Sequence, residues 1–165
     1  MNGRVLIVFL SCVWLQVDAK PGEPLRIGGG PENYVGRQWT TDDGLPHQWI
    51  TSIVQDRQGY LWLGTRRGLS RFDGARFVNF TRGNTSEFVD DFCQTLAEDS
   101  AGDLWIGTKN GLIQRSNENF KRHMPKDGLA ASEVDVLCQS SLGGVWIATA
   151  NGVQRLDAGS WSNHR

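Results

Sequence analysis

The sequence predicts an all-β protein, and three observations lead to this prediction. The chain has 165 residues, of which 20 are glycine and 7 are tryptophan, a composition typical of short strands joined by tight turns. A tryptophan motif recurs at Trp62, Trp105 and Trp146, and each interval holds four strand-like runs with no convincing helical period. A period of about 42 residues with four such runs indicates a β-propeller blade. We therefore predict a β-propeller fragment with about three four-stranded antiparallel blades of an expected seven.

The first repeat shows the four runs most clearly. The predicted strands cover residues 49–55, 60–65, 68–72 and 75–81. Asp73-Gly74 is a strong hairpin turn between the last two strands, because glycine tolerates the positive φ that such turns need.

The residues that recur in the repeats are expected to build the fold. The tryptophans are expected to pack as wedges between adjacent blades, where each would contribute about 1.5–3 kcal/mol or more. The glycine and threonine that end the second strand mark a place where neighbouring blades crowd together. The predicted structural repeat residues are Gly59, Trp62, Gly64, Thr65, Gly68, Gly102, Trp105, Gly107, Thr108, Gly111, Gly143, Trp146, Thr149 and Gly152.

The N-terminus has the features of a secretory signal peptide, which we place at residues 1–19. Arg4 supplies the positive charge, residues 5–17 are mostly apolar, and Ala19 is the small residue that a cleavage site requires. The apolar run is too short for a comfortable membrane span. We therefore expect a periplasmic or secreted location after signal peptide cleavage.

Four segments follow the signal peptide. The first, 20–41, contains a lone strand at 34–40 that matches the fourth strand of the first repeat and would close a ring. The three blades are placed at 42–83, 84–125 and 126–165. Three blades are too few to close a ring. We therefore expect a truncated chain or an assembly, with the remaining blades or other copies of the chain as partners.

Several motifs of the repeats are specific. The first repeat has Asp43-Gly-Leu-Pro46, Gly59-Tyr-Leu-Trp-Leu-Gly-Thr65 and Gly68-Leu-Ser-Arg-Phe-Asp73. The second keeps Leu104-Trp-Ile-Gly-Thr108, whereas the third has Ala148 in place of the glycine and Ser140 in place of an aspartate. Over roughly residues 34–165 these motifs resemble the two-component regulator propeller repeat.

The resemblance implies the periplasmic sensor region of a bacterial hybrid two-component sensor histidine kinase. In such receptors an immunoglobulin-like domain, a membrane helix and the kinase follow the propeller, and many of them are thought to sense saccharides. The 165 residues contain no phosphoacceptor helix and no ATP-binding glycine box. We therefore predict a ligand-sensing fragment that is not itself an enzyme.

Charge and cysteine content exclude several other classes. With 17 basic and 18 acidic residues the net charge is -1, which gives no electrostatic reason to expect nucleic acid or an anionic membrane as a partner. There is no Cys-x-x-Cys pair and the histidines are isolated, so we predict no metal and no cofactor. Cys93 and Cys138 lie at different depths of the first strand, and we expect both to be buried free thiols.

One face of the predicted propeller is the candidate ligand site. The loop before each first strand and the loop between the second and third strands are expected to open on this face. Amides and guanidinium groups bond sugar hydroxyls, tryptophan stacks on sugar rings, and a cation can pair with a carboxylate or sulfate. The alternative is that these are ordinary polar residues at loop tips. The candidate ligand-binding residues are His47, Trp49, Arg66, Arg67, Asp90, Asp91, Lys109, Asn110 and Asn151.

No catalytic residues are predicted. Asp42-Asp43 and Asp90-Asp91 are paired carboxylates, but neighbours in sequence rarely converge on one bond, and a glycosidase needs two carboxyl groups ~5–10 Å apart across a cleft. The alternative function is a free-standing secreted propeller that acts as a binding module or as a streptogramin-type lyase. A lyase would use His47, the only histidine expected on the ligand face.

Overall fold

The computed structural model describes residues 37–164. The predicted signal peptide and most of the predicted segment 20–41 lie outside the described residues. The described part contains twelve strands and two 3₁₀ turns, at Thr41–Asp43 and Pro125–Asp127, and no α-helix. The strands are β1 Ile50–Gln55, β2 Leu61–Thr65, β3 Gly68–Phe72, β4 Phe77–Phe80, β5 Cys93–Glu98, β6 Leu104–Thr108, β7 Gly111–Ser116, β8 Asn119–His123, β9 Val136–Gln139, β10 Val145–Thr149, β11 Gly152–Asp157 and β12 Ser160–His164.

The twelve strands form three four-stranded antiparallel sheets, which confirms the predicted all-β fold. The strand orders are β1-β2-β3-β4 in the first sheet, β5-β6-β7-β8 in the second and β9-β10-β11-β12 in the third. In the first repeat the observed strands begin and end within two residues of the predicted ones. The difference is largest at β4, an outer strand that pairs on one side only.

The turn between the second and third strands of each sheet depends on a threonine and a glycine. Thr65 Oγ1 donates a 2.8 Å hydrogen bond to the carbonyl of Gly68, and Thr108 Oγ1 donates the same bond to Gly111 at 2.8 Å. Gly68 has a φ of 121°, and a Cβ there would lie 2.7 Å from the carbonyl oxygen of Phe80. Only glycine fits this turn without strain.

An aspartate fixes the first turn and the tryptophan in two of the repeats. One carboxylate oxygen of Asp56 accepts hydrogen bonds from backbone N–H groups of the following turn at 2.9 and 3.0 Å. Its other oxygen accepts the indole N–H of Trp62 at 2.7 Å. Asp99 holds Trp105 in the same way at 2.9 Å. The buried indole N–H is therefore satisfied, which removes the cost of burying an unpaired donor.

The sheets pack face to face with their inner strands β1, β5 and β9 side by side. Trp62 and Leu69 of the first sheet pack against Leu96, Ile106 and other apolar residues of the second. Side-chain hydroxyls bridge the inner strands, since Thr51 Oγ1 donates to the carbonyl of Cys93 at 2.5 Å. The core is thus a series of layers between sheets.

The second sheet packs on the third in the same way. Trp105 and Leu112 contact Val134, Val145 and other residues of the third repeat. A Cβ on Gly107 would lie 2.8 Å from Cγ1 of Val134, which shows how closely the third repeat approaches the middle of β6. The predicted role of a tryptophan wedge is therefore found between both pairs of sheets.

The outer face of the third sheet differs from these packed faces. Trp146 is only half-buried, and within residues 37–164 its indole N–H has no hydrogen-bond partner, because Ser140 replaces the aspartate. Val136 on the same face is 55% exposed. The expectation of a buried thiol is wrong for Cys138, which pairs in register with Trp146 and is exposed. No sheet of the described part covers this face.

Cys93 has the predicted environment. It is a free thiol that is fully buried between the first and second sheets. Burial raises its pKa to about 12, so it stays protonated and acts as a small apolar side chain.

The predicted ring-closing strand at 34–40 lies partly outside the described residues. Its described part, 37–40, is not a strand, because no neighbouring strand pairs with it within the described range. Trp39 instead packs on the first sheet, with ring centroids 4.6 Å from Phe72 and 5.7 Å from Phe77. Among the described residues, no helix has the length and apolarity needed to cross a bilayer.

Candidate functional site

The loops that precede β1, β5 and β9 meet the turns after β2, β6 and β10 at one edge of the sheets, which we call the loop face. The Gly68 N–H donates to the carbonyl of Asp91 at 2.7 Å, which ties the first sheet to the loop of the second repeat. The amide of Asn151 donates to the carbonyl of Ala130 at 2.8 Å in the third repeat. All nine candidate residues lie on these loops and turns.

Four side chains form a continuous group on the loop face, which we call the cation–aromatic row: Trp49, Arg66, Phe92 and Lys109. The guanidinium carbon of Arg66 lies 4.1 Å from the ring centroid of Trp49 and 5.9 Å from that of Phe92. The ammonium nitrogen of Lys109 lies 5.4 Å from the same Phe92 centroid. Cations and rings therefore alternate from the first repeat to the second. Each such contact is worth about 0.5–1 kcal/mol at an exposed site.

The sequence prediction missed Phe92. It stands immediately before β5, as Trp49 stands immediately before β1, so the register of the repeats was a signal that could have found it. In the third repeat the residue at the same distance before the tryptophan is Glu133, and Ala150 takes the position of Lys109. The row therefore ends at the second sheet.

The cations of the row are exposed and unneutralised. Within residues 37–164, no carboxylate lies within 4.0 Å of Arg66, Arg67 or Lys109, and none of these side chains donates a hydrogen bond to a protein acceptor. Stacking on a ring uses none of the N–H donors of a guanidinium group. These donors are free for a ligand.

The two predicted acidic residues are instead held by their own loop. Asp90 accepts hydrogen bonds from the Phe92 N–H at 2.6 Å and from the Asn110 amide at 3.1 Å. Asp91 accepts from the Arg82 N–H at 2.7 Å and pairs with its side chain at 3.8 Å. In this geometry the carboxylates shape the loop that carries Phe92.

The other candidate residues occupy repeated turn positions. Arg67, Asn110 and Asn151 each follow the strand-ending threonine by two residues, and their N–H groups donate to its hydroxyl at 3.0, 3.1 and 3.2 Å. Asn151 lies in the third repeat, away from the cation–aromatic row, where its side chain braces the loop at Ala130.

His47 supports the loop before β1. Its Nδ1 accepts the backbone N–H of Trp49 at 2.9 Å, and the side chain is half-buried. No carboxylate of the described residues lies within 4.0 Å of its ring nitrogens. In this structure the contact that His47 makes is therefore with the backbone of Trp49 and not with an acidic group of the described residues.

Residues 37–164 contain no group of three or more histidine, cysteine, aspartate or glutamate side chains placed to hold an ion.

The first two repeats match a known family model. Residues 44–67 and 87–110 match the model described as two component regulator propeller. A histidine kinase, P4, from Formosa agariphila is 47% identical over 45 residues, which cover 27% of this chain and 3% of the kinase.

Solved structures of two kinds of protein have a similar fold. The extracellular domain of the hybrid two component system BT3049 from B. thetaiotaomicron matches with a TM-score of 0.70 and 25% identity, over 78% of this chain and 20% of that one. Virginiamycin B lyase from Staphylococcus aureus matches with a TM-score of 0.57 and 14% identity, over 71% of this chain and 41% of the lyase, and this likeness concerns the fold alone. The chain thus spans less than half the length of each of these relatives.

Proposed function

We propose that this chain, whose residues 44–67 and 87–110 match the two component regulator propeller model, is the extracytoplasmic ligand-sensing part of a two-component signal transduction receptor. The observation that carries the proposal is the match to an extracellular receptor domain over 78% of the chain. In this proposal the fragment binds and does not catalyse, and the signalling output comes from a sensor histidine kinase in the same receptor.

The ligand that we propose is a saccharide or a similar polar molecule on the loop face. The Trp49 side chain is 58% exposed beside free guanidinium and ammonium donors. An aromatic ring that packs on the apolar face of a sugar, next to donors for its hydroxyls, is the chemistry of saccharide recognition. This combination supports a saccharide over an apolar ligand.

The remaining partners are further propeller blades. The outer face of the third sheet exposes Val136, Val153 and part of Trp146, at the positions that a neighbouring sheet covers in the first two repeats. We propose that another blade, from the rest of a ring or from another copy of the chain, packs on this face.

The lyase remains a weaker alternative. Streptogramin lyases share the fold, but their likeness to this chain is below 25% identity, and His47 has no carboxylate near it in residues 37–164. No observation in the site favours ring opening over binding.

Calorimetric titration of the purified full chain with a panel of neutral and acidic oligosaccharides tests the proposal. We expect at least one oligosaccharide to bind, and Trp49→Ala to weaken its binding about tenfold or more through loss of the stacked ring. Arg76→Ala is the matched control, because Arg76 lies exposed on the β3–β4 turn at the opposite edge. A folded chain that binds no saccharide, or binding that survives Trp49→Ala, would overturn the proposal.

A further inference from the structure

We infer that the cation–aromatic row is a site for the anionic group of an acidic oligosaccharide, a carboxylate or a sulfate. The inference rests on the proposed function and narrows its ligand class. It starts from charge: the row brings Arg66 and Lys109 to a single ring, Phe92, at 5.9 and 5.4 Å from its centroid. Two positive charges therefore contact the same aromatic ring, and both lie on the loop face.

The protein does not supply that anion. Elsewhere in residues 37–164 five arginines pair with carboxylates, namely Arg57, Arg71, Arg82, Arg115 and Arg155, whereas Arg66 and Lys109 do not. The acidic residues nearest in sequence to Phe92, Asp90 and Asp91, are already engaged by backbone N–H groups, by Asn110 and by Arg82. The two carboxylates thus form hydrogen bonds within the protein, whereas the charged groups of Arg66 and Lys109 are exposed to solvent.

The aromatic rings make these cations selective for an anion on a sugar. Trp49 and Phe92 hold the charged groups close to the loop face and so reduce the side-chain entropy that binding would otherwise cost. Guanidinium and ammonium groups form charge-assisted hydrogen bonds with carboxylate or sulfate oxygens, which are about twice as strong as neutral ones. The exposed part of the Trp49 ring remains available for the sugar itself.

Arg76 on the β3–β4 turn lacks these features. It is exposed beside Asp73, whose carboxylate accepts its backbone N–H at 2.7 Å, and within the described residues its side chain forms no ion pair within 4.0 Å and no cation–π contact. The third repeat also lacks the arrangement, because Glu133 and Ala150 stand at the positions of Phe92 and Lys109. The site is therefore confined to the first two repeats and suits a short acidic segment.

Four probes separate the possible ligands: a neutral glucan tetrasaccharide, a uronate tetrasaccharide, a sulfated tetrasaccharide and inorganic sulfate. We expect at least one acidic oligosaccharide to bind the full chain about tenfold more tightly than the neutral one, as measured by calorimetry. Raising NaCl from about 50 to about 500 mM should weaken binding of the acidic oligosaccharide several-fold, because salt screens exposed charges. The better of the two acidic probes identifies carboxylate or sulfate as the bound group.

Charge-removing variants assign the effect to the row. Arg66→Gln and Lys109→Met should each weaken binding of the acidic oligosaccharide about tenfold and reduce the salt dependence of that binding. The Lys109→Met variant keeps an apolar side chain against Phe92. Arg76→Gln should change neither, and circular dichroism checks that each variant is folded.

The outcomes distinguish the two proposals. Equal, salt-independent binding of neutral and acidic oligosaccharides, lost in Trp49→Ala, overturns this inference and leaves the proposed function standing. Binding of inorganic sulfate alone, or of no probe by a folded chain, overturns both. Acidic oligosaccharide binding that Arg66→Gln and Lys109→Met leave unchanged places the anion elsewhere and overturns the inference.

Discussion

The face between the second and third sheets and the outer face of the third sheet have the same sequence pattern but different environments. Trp105 and Trp146 occupy the second position of β6 and β10, and each pairs across its sheet with a residue of the innermost strand, Ala97 or Cys138. Trp105 is 4% exposed under the third sheet, whereas Trp146 is half-buried and Cys138 is exposed. The repeat motif therefore sets the position of the ring, and the next sheet alone determines its burial.

The largest effect is expected when the tryptophan rings of the repeats are removed. Trp62→Ala and Trp105→Ala should each lower the free energy of unfolding by about 3–5 kcal/mol, because each leaves a cavity between two sheets. Trp146→Ala should lower it by only about 1 kcal/mol, since its ring is partly in water already. Urea unfolding of the full chain, followed by circular dichroism, measures the three values. An equal loss in Trp146→Ala would mean that an assembled neighbour covers the outer face in solution.

Close approach between sheets gives the second test. In Gly107→Ala the new methyl group would lie 2.6 Å from Thr95 Cγ2 and 2.8 Å from Val134 Cγ1, so we expect a loss of about 1–3 kcal/mol from overpacking. The third repeat already carries Ala148 at this position on its outer face. Ala148→Gly is the control, with an expected loss of about 0.5–1 kcal/mol from backbone entropy alone. A harmless Gly107→Ala would show that the sheets can move apart.

The hydrogen bond to the indole gives a smaller effect. In wild-type Asp99 one carboxylate oxygen accepts backbone N–H groups and the other accepts the indole N–H of Trp105. Asp99→Asn has only one acceptor oxygen and leaves one of these donors unpaired, so we expect the free energy of unfolding to fall by about 1–3 kcal/mol. Ser140→Asp supplies the missing acceptor to Trp146 and should stabilise the third repeat by about 0.5–1 kcal/mol. The urea midpoints of both variants measure these changes in stability. A destabilised Ser140→Asp would contradict the view that position 140 corresponds to the aspartates of the first two repeats.

The smallest expected effect depends on pH. Burial, together with the nearby Lys121 charge, lowers the pKa of His123, and Asp127 opposes this only in part. The unfolded chain then binds more protons, so this contribution to stability is present above about pH 6.5 and is lost as the pH falls below it. His123→Phe, which copies Phe80 at the end of β4, should reduce the fall in the urea midpoint between about pH 7.5 and 5.5. His164→Phe on the outer face is the control, and an unchanged profile in His123→Phe would contradict the assignment.

Prediction from sequence succeeded where the cause is local and failed where it is distant. The four strands of the first repeat were placed to within two residues, because alternation and turn residues such as Asp73-Gly74 act over a few neighbours. Phe92 was missed because its importance comes from Lys109 and Arg66, which lie far from it in sequence. Asp90, a predicted ligand-binding residue, accepts a hydrogen bond from an asparagine twenty residues later, and no local pattern indicates this contact.

The sequence by itself determined the period, the strands and the residues that every turn requires, since a threonine–glycine turn or an aspartate–tryptophan pair is complete within one repeat. Only the tertiary structure decided which repeated side chains are buried and which cations meet which rings. Both depend on how one sheet is placed against the next, and that placement is set by packing between residues about 40 positions apart rather than by any local pattern.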